Sequence, residues 1–136
     1  MRYWLLTWNP KTFDLAAARR DGQPIGDWRV GRFRDELQAG DRFLFWRSGS
    51  GGIAALGRIG GAPVFKPVPS PDYWTEVPEQ AWFVPIEVEQ WLDVDITFGQ
   101  LRADKRFDGM GFIRMPGAAN PHPVTEAQWE AFMSRL

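Results

Sequence analysis

The chain has 136 residues, 44 % of them hydrophobic and 24 % charged, which suits one globular domain of residues 1–136. Its formal net charge of −1 excludes a general polycation, and the absence of cysteine excludes disulfides, thiolate nucleophiles and cysteine-ligated zinc. No apolar run reaches the roughly 18 residues of a membrane-spanning helix, and no secretory leader is visible. A cytoplasmic chain without membrane contact is therefore expected, and Met1, followed directly by strand-like sequence, reads as a native start.

Arg2–Trp8 is aromatic-rich and reads as a short buried first strand, stopped by Asn9-Pro10. Thr12–Arg20 reads as a short helix with Phe13, Ala16 and Ala17 on one face. Residues 21–27 are loop. Val30, Phe33 and Leu37 fall at helical spacing and predict a helix over 31–38. Arg42–Arg47 and Ile53–Ile59 read as strands joined by the flexible Ser48–Gly52 turn, the clearest hairpin in the chain. Residues 60–80, rich in proline and glycine, predict a long loop of the functional kind, because Tyr73 and Trp74 argue against disorder. Ala81–Trp91 reads as a strand in which Pro85 marks an edge or a bulge. Thr97 caps a short helix to Ala103, residues 109–115 read as a last strand, and residues 116–123 as loop. Thr125 and Gln128 form a capping-box pattern that opens a final helix with Trp129, Phe132, Met133 and Leu136 on one stripe. Short strands mixed with short helices predict an α+β domain around a small curved or closed sheet.

Eight tryptophans and ten phenylalanines are more aromatic surface than a core of this size needs. Charge is also uneven: residues 1–66 hold eleven Lys/Arg against six Asp/Glu, whereas residues 67–136 hold five against eleven. One basic face is expected, suited to modest, local phosphate contact. Trp28 follows a Gly/Pro-rich loop and precedes Arg29, Arg32 and Arg34 within six residues. An aromatic ring bracketed by guanidiniums suits stacking on a base while phosphates are held nearby. The competing reading is that Trp28 closes the core and the arginines are a solvated face.

Catalytic equipment is sparse. His122, the one histidine, sits between two prolines with no acid–base partner near it in sequence. No nucleophile elbow or Walker-type phosphate loop is present. Glu87, Glu89, Asp93 and Asp95 offer at most a hard-cation site. A non-catalytic binding module is expected, with no cofactor.

Four segments in order carry a resemblance: Tyr3-Trp-Leu-Leu-Thr-Trp-Asn-Pro10, Gly40-Asp41-Arg-Phe-Leu-Phe-Trp46, Trp82-Phe-Val-Pro-Ile-Glu-Val88 and Pro123-Val-Thr-Glu-Ala-Gln-Trp129. Together they resemble the EVE domains, over nearly the whole chain. The resemblance implies a PUA-like fold, a small curved β-barrel flanked by short helices and related to the YTH domains that read methylated adenine. It implies reading of a modified base flipped out of nucleic acid into an aromatic pocket. Several members are fused to nucleases or GTPase motors that restrict modified DNA. The Tyr-Gln-Ala-Arg-Asn run usual in stand-alone members is not present here before Gly40. That departure points to the restriction-associated branch, in which a nuclease or GTPase effector is fused to or associated with the reader.

On the resemblance, Trp28 matches the pocket tryptophan, and Asn9 matches an asparagine whose amide, both donor and acceptor, hydrogen-bonds the base edge. The alternative for Asn9 is a helix cap near Pro10. Trp82 and Trp74 are the candidates for a second wall, and Trp8 for a further one. Trp4, Trp46 and Trp129 read as core. Arg29, Arg32 and Arg34 are the candidate phosphate contacts, with Arg47, Arg58 and Lys66 after them. The Ser48–Gly52 amides could approach a phosphate too, though a plain hairpin turn is the simpler reading. The expected target is 5-methyl- or 5-hydroxymethylcytosine in DNA, then N6-methyladenine. Alternatives are an RNA-binding PUA-like module acting on tRNA or modified RNA, and a small-molecule or nucleotide pocket.

Overall fold

Apolar runs without polar alternation make strands that are covered on both faces, and two such runs organise this chain. The computed structural model describes residues 1–75 and 78–136; residues 76 and 77, within the expected long loop, lie outside the described residues. The strands are β1 (Tyr3–Trp8), β2 (Asp27–Arg29), β3 (Arg42–Arg47), β4 (Ile53–Ile59), β5 (Val64–Pro67), β6 (Gln80–Val94) and β7 (His122–Val124). They join in the order β2-β6-β4-β3-β1-β7, with β5 also paired to β6. Among the described residues only β1 and β3 run parallel, from Tyr3 opposite Arg42 to Trp8 opposite Arg47. Among the described residues the α-helices are four and short: α1 (Leu15–Arg20), α2 (Phe98–Ala103), α3 (Gly111–Arg114) and α4 (Glu126–Met133), with single 3-10 turns at Pro71–Tyr73 and Lys105–Phe107. The α+β expectation is met by a curled, mixed sheet with helices packed against it.

Alternation along β1 and β3 splits the core in two. Trp4, Leu6, Trp8, Phe43 and Phe45 enter one buried cluster with Phe13, Trp28 and Val84. Leu5, Leu44 and Trp46 enter the other, with Phe107, Phe112, Trp129 and Phe132 from the helical side. Each of Trp4, Trp46 and Trp129 is core, as expected. The Gly40-Asp41 element has a structural reason. Asp41 is buried, and its carboxylate accepts from Trp4 Nε1 (2.9 Å), the Arg2 amide (3.0 Å) and the Gln38 amide (3.1 Å). It thereby fixes the start of β3 beside the start of β1.

The hairpin β3–β4 forms as expected, and so do the Thr97 and Thr125 caps, each in a full capping box with Gln100 and Gln128 respectively. Five expectations are corrected. No helix forms over 31–38: Val30 continues β2, donating its amide to the Trp82 carbonyl, and Phe33 takes a left-handed φ of 53°. Residues 109–115 hold a helical turn, α3, and not a strand; Met110 and Phe112 are buried against the helical-side core. α1 starts at Leu15, capped by the Asp14 side chain, and buries Leu15 and Ala18 where Ala16 and Ala17 were expected. The proline-rich stretch contains β5, and the loop before Pro123 gives way to β7 at His122. Pro85 sits where β6 changes partners, with β2 and β5 before it and β4 after it.

The curled sheet does not close by strand pairing, because β2 ends one side and β1–β7 ends the other. Side chains bridge the gap instead. Trp28 Nε1 donates to the Thr7 carbonyl at 3.1 Å. Asn120 does what a neighbouring strand would do: its Oδ1 accepts from the Thr7 amide (2.8 Å) and its Nδ2 donates to the Thr7 carbonyl (3.1 Å). The Asn120 carbonyl accepts in turn from the Gly31 and Arg32 amides (2.8 and 3.0 Å). A backbone left unpaired here would carry the cost of buried polar groups, which these bonds remove.

Candidate nucleic-acid interface

The bridged seam opens into a cavity of about 680 Å³. Thr7 and Asn9 line it from the end of β1, Trp28–Gly31 from β2, and Gly117–Asn120 from the segment before β7. Trp74, Phe65, Gln80 and Trp82 line the remainder. Its size lies within the roughly 300–1,000 Å³ of ordinary ligand pockets.

The structure brings Trp28, Trp74, Trp82, Asn9 and Arg29 to this one cavity. Trp28 is only 3 % exposed and is held by Phe13, Phe45 and Trp74, with ring centroids at 5.2, 4.7 and 5.3 Å. It therefore serves the core and the cavity together. Trp74 is half-buried and fixed by Nε1 donation to the Pro69 carbonyl (3.1 Å). Phe13, at the end of the segment after β1, bridges to Trp74, so α1 and the long loop are tied to each other. Trp82 belongs to a separate, exposed pair with Phe65, at 5.6 Å.

Asn9 is exposed and caps a turn: its Oδ1 accepts from the Lys11 amide (2.9 Å), and its carbonyl accepts from the Thr12 and Phe13 amides. Among the described residues its Nδ2 has no protein acceptor, which leaves both of its N–H donors to solvent or a ligand. Arg29 is exposed at the cavity and makes no ion pair among the described residues.

The other candidates lie elsewhere. Trp8 is buried, donates Nε1 to the Phe13 carbonyl, and lines a second, smaller cavity with Arg19 and Arg47. The Arg47 guanidinium rests over the Trp8 ring at 5.1 Å. Arg58 is paired with Glu89 at 3.2 Å. The Arg34 guanidinium lies over Trp82 at 4.3 Å, outside the cavity proper. Lys66 Nζ is bound to Asp27 Oδ1 at 2.8 Å.

Arg32 is engaged inside the fold. Its Nε donates to the Ala119 carbonyl (2.7 Å), and its Nη2 reaches the Pro121 carbonyl (3.3 Å) and His122 Nδ1 (3.2 Å). It thus clamps the 117–121 wall of the cavity to β2. His122 is fully buried, with Phe112 edge-on to it at 5.0 Å. Burial, and then the Arg32 charge, lower its pKa from 6.5 to about 4, so the ring is neutral near pH 7. With Nδ1 accepting from Arg32 the proton sits on Nε2, which has no partner among the described residues. No group of three or more His, Cys, Asp or Glu among the described residues is placed to hold a metal ion, and no helix there is long and apolar enough to cross a membrane.

Sequence reasoning missed Phe65, Thr7 and Asn120. Phe65 was hidden in a proline-rich stretch that looked like loop. Asn120 bonds a residue 113 positions away, and its only local signal is that an asparagine precedes proline.

Residues 2–135 match the EVE domain in sequence. No curated protein matches the chain by sequence. Among solved structures, Rpa0253 from Rhodopseudomonas palustris is 18 % identical at a TM-score of 0.71, over 99 % of this chain and 92 % of its own. Human THYN1 in complex with 5-methylcytosine-containing DNA is 15 % identical at a TM-score of 0.68, over 98 % of this chain and 96 % of its own. The YTH domain-containing protein mmi1, in complex with RNA, is 11 % identical at a TM-score of 0.57, over 98 % of this chain and 80 % of its own. At these identities the likeness is one of fold, the PUA-like α+β half-barrel.

Proposed function

The chain belongs to the EVE domain family, and from that premise we propose that it is a non-catalytic reader of a modified base in DNA. The base leaves the duplex and enters the seam cavity. The observation that carries this reading is the convergence of Trp28, Trp74, Trp82 and the free Asn9 amide on one opening of suitable size. Stacking contributes about 1–3 kcal/mol per aromatic group, against a flipping cost of a few kcal/mol. Fit around one methyl or hydroxymethyl group then needs to supply only about 1–3 kcal/mol of discrimination. The Asn9 Nδ2 donor suits an acceptor on the base edge. Arg29 supplies the adjoining phosphate contact.

5-Methyl- or 5-hydroxymethylcytosine is the first target, supported by the fold shared with human THYN1 bound to 5-methylcytosine-containing DNA. N6-methyladenine in DNA is the second. The likeness to an RNA-bound YTH domain favours modified RNA as the alternative substrate. A module of this kind marks a site and does no chemistry on it, so a nuclease or GTPase effector, fused or associated, completes a restriction role in the cytoplasm.

The test is a titration at fixed low salt with matched duplexes carrying one cytosine, 5-methylcytosine, 5-hydroxymethylcytosine or N6-methyladenine, and a parallel RNA set. A gain of about tenfold for one mark, about 1.4 kcal/mol, supports the reading. Trp82→Ala is expected to erase that gain, losing about 1–3 kcal/mol of affinity without unfolding, because Trp82 is 37 % exposed. Equal, salt-sensitive binding to all probes would reduce the activity to phosphate contact.

A further inference from the structure

We infer that Phe65 is a wedge that takes the place of the target base in the DNA stack once that base has left it. The inference rests on the base-reading proposal above and adds to it a means of opening the duplex. Phe65 is 53 % exposed, and its neighbours on the same ribbon, Val64 and Trp82, are exposed too. Among the described residues the other exposed large apolar residues, Met1, Met115 and Leu136, lie on separate segments. Scattered single residues of that sort are ordinary on a surface, whereas a contiguous aromatic patch marks a contact.

The position of the patch says what it contacts. Phe65 and Trp82 both line the mouth of the cavity. An occupant of the patch is thus continuous with an occupant of the pocket, as the neighbour of a flipped nucleotide is. The ribbon is also held firmly. β5 continues along β6 beyond the end of β4, with Phe65 opposite Trp82 and Lys66 opposite Ala81. Lys66 Nζ bonds Asp27 Oδ1 at 2.8 Å, which braces β5 to β2. The Arg34 guanidinium lies on Trp82 at 4.3 Å, and Arg29 is exposed at the same opening, so cations flank the aromatic pair. An apolar wedge with guanidiniums near it suits insertion between bases while neighbouring phosphates are held. The gap left by an extruded base exposes two apolar ring faces, and a phenyl ring covers them without reading sequence.

The test uses three forms of one short oligonucleotide carrying a central 5-methylcytosine: single strand, perfect duplex, and a duplex mismatched at that position. The same three forms carrying N6-methyladenine, and unmodified controls, run in parallel. Phe65→Ala is expected to weaken binding to the perfect duplex about tenfold. The mismatched duplex, already open, loses less, and the single strand changes less than about twofold. Phe65→Trp restores duplex binding, which a mere phosphate-spacing effect would not require. An equal loss on all three forms would make Phe65 a pocket wall and overturn the wedge, as would unchanged duplex binding. Preference of the wild type for modified single strands tests the base-reading proposal separately. If that preference is present while Phe65→Ala leaves the duplex untouched, only the wedge fails. If no form is preferred over its unmodified control, both fail.

Discussion

The two faces of the β1–β3 strand pair are built from the same residue types and end differently. On the helical side, Leu5, Leu44 and Trp46 meet Phe107, Phe112, Trp129 and Phe132, and helices close over them. On the concave side, Trp4, Trp8, Phe43 and Phe45 meet Phe13, Trp28 and Trp74, and the sheet that should close over them stops short. The difference teaches that an aromatic excess is not itself a binding site. It becomes a candidate site where the sheet leaves a seam and the backbone there is satisfied by side chains, Asn120 and Trp28, in place of a strand.

The sharpest way to break this comparison is to remove one tryptophan from each face. Trp46→Ala is expected to cost about 3–5 kcal/mol in urea unfolding, with modified-DNA affinity of the remaining folded protein unchanged. Trp28→Ala is expected to cost a similar amount and also to abolish selective binding, because Trp28 serves both core and cavity. Equal effects on binding from both variants would mean that the two faces are not functionally distinct.

Next in size is an effect of pH that runs through the helical side. His122 has a folded pKa of about 4 against 6.5 for an unhindered imidazole. The unfolded chain therefore binds the proton first. Stability is full above about pH 6.5 and falls as pH drops through 4, by about 3 kcal/mol in all, most of it by pH 4.5. Urea titrations from pH 7.5 to 4.5 should show this loss in the wild type and not in His122→Gln.

Asn120→Ala sharpens the seam itself. It removes both bonds to the Thr7 backbone. The expected cost is about 1–3 kcal/mol in stability, with a further loss in affinity as the Gly117–Asn120 wall loosens. A loss of stability alone would show that the wall need not be held for binding.

How much of this was legible in the sequence follows from range. β1, β3, β4 and α4 carry their own signals: dense apolar runs, a glycine turn, and a Thr/Gln capping box. The β3–β4 pairing needed no information from far along the chain, whereas the parallel pairing of β1 with β3 and that of β1 with β7 join distant segments. Residues 31–38 mislead because Val30, Phe33 and Leu37 satisfy a helical period, yet Val30, Gly31 and Arg32 spend their amides on Trp82 and Asn120. Residues 109–115 mislead in the opposite direction, since a short apolar run fits a strand or a buried helical turn equally. The same holds for the site. Trp28, Trp74, Trp82 and Asn9 stand out by residue type and by family resemblance. Phe65 and Asn120 act only through partners that folding brings to them.

The arginines give the smallest expected effects and the finest test, since sequence treats Arg29 and Arg32 alike and the fold does not. Arg32 spends its guanidinium on the Ala119 and Pro121 carbonyls and His122 Nδ1. Arg32→Gln should lower stability by about 1–2 kcal/mol, because those acceptors lose their donor at the seam. The slope of log affinity against log salt should stay as it is. Arg29 has no such partners among the described residues and faces the cavity opening. Arg29→Gln should leave the unfolding midpoint alone and weaken every probe alike by less than about 1 kcal/mol. Its salt slope should fall by about 0.9, the share of one phosphate contact. If the two variants exchanged these behaviours, the seam clamp and the phosphate contact would have to trade places. The basic face would then lie on the 117–121 side of the cavity and not along β2.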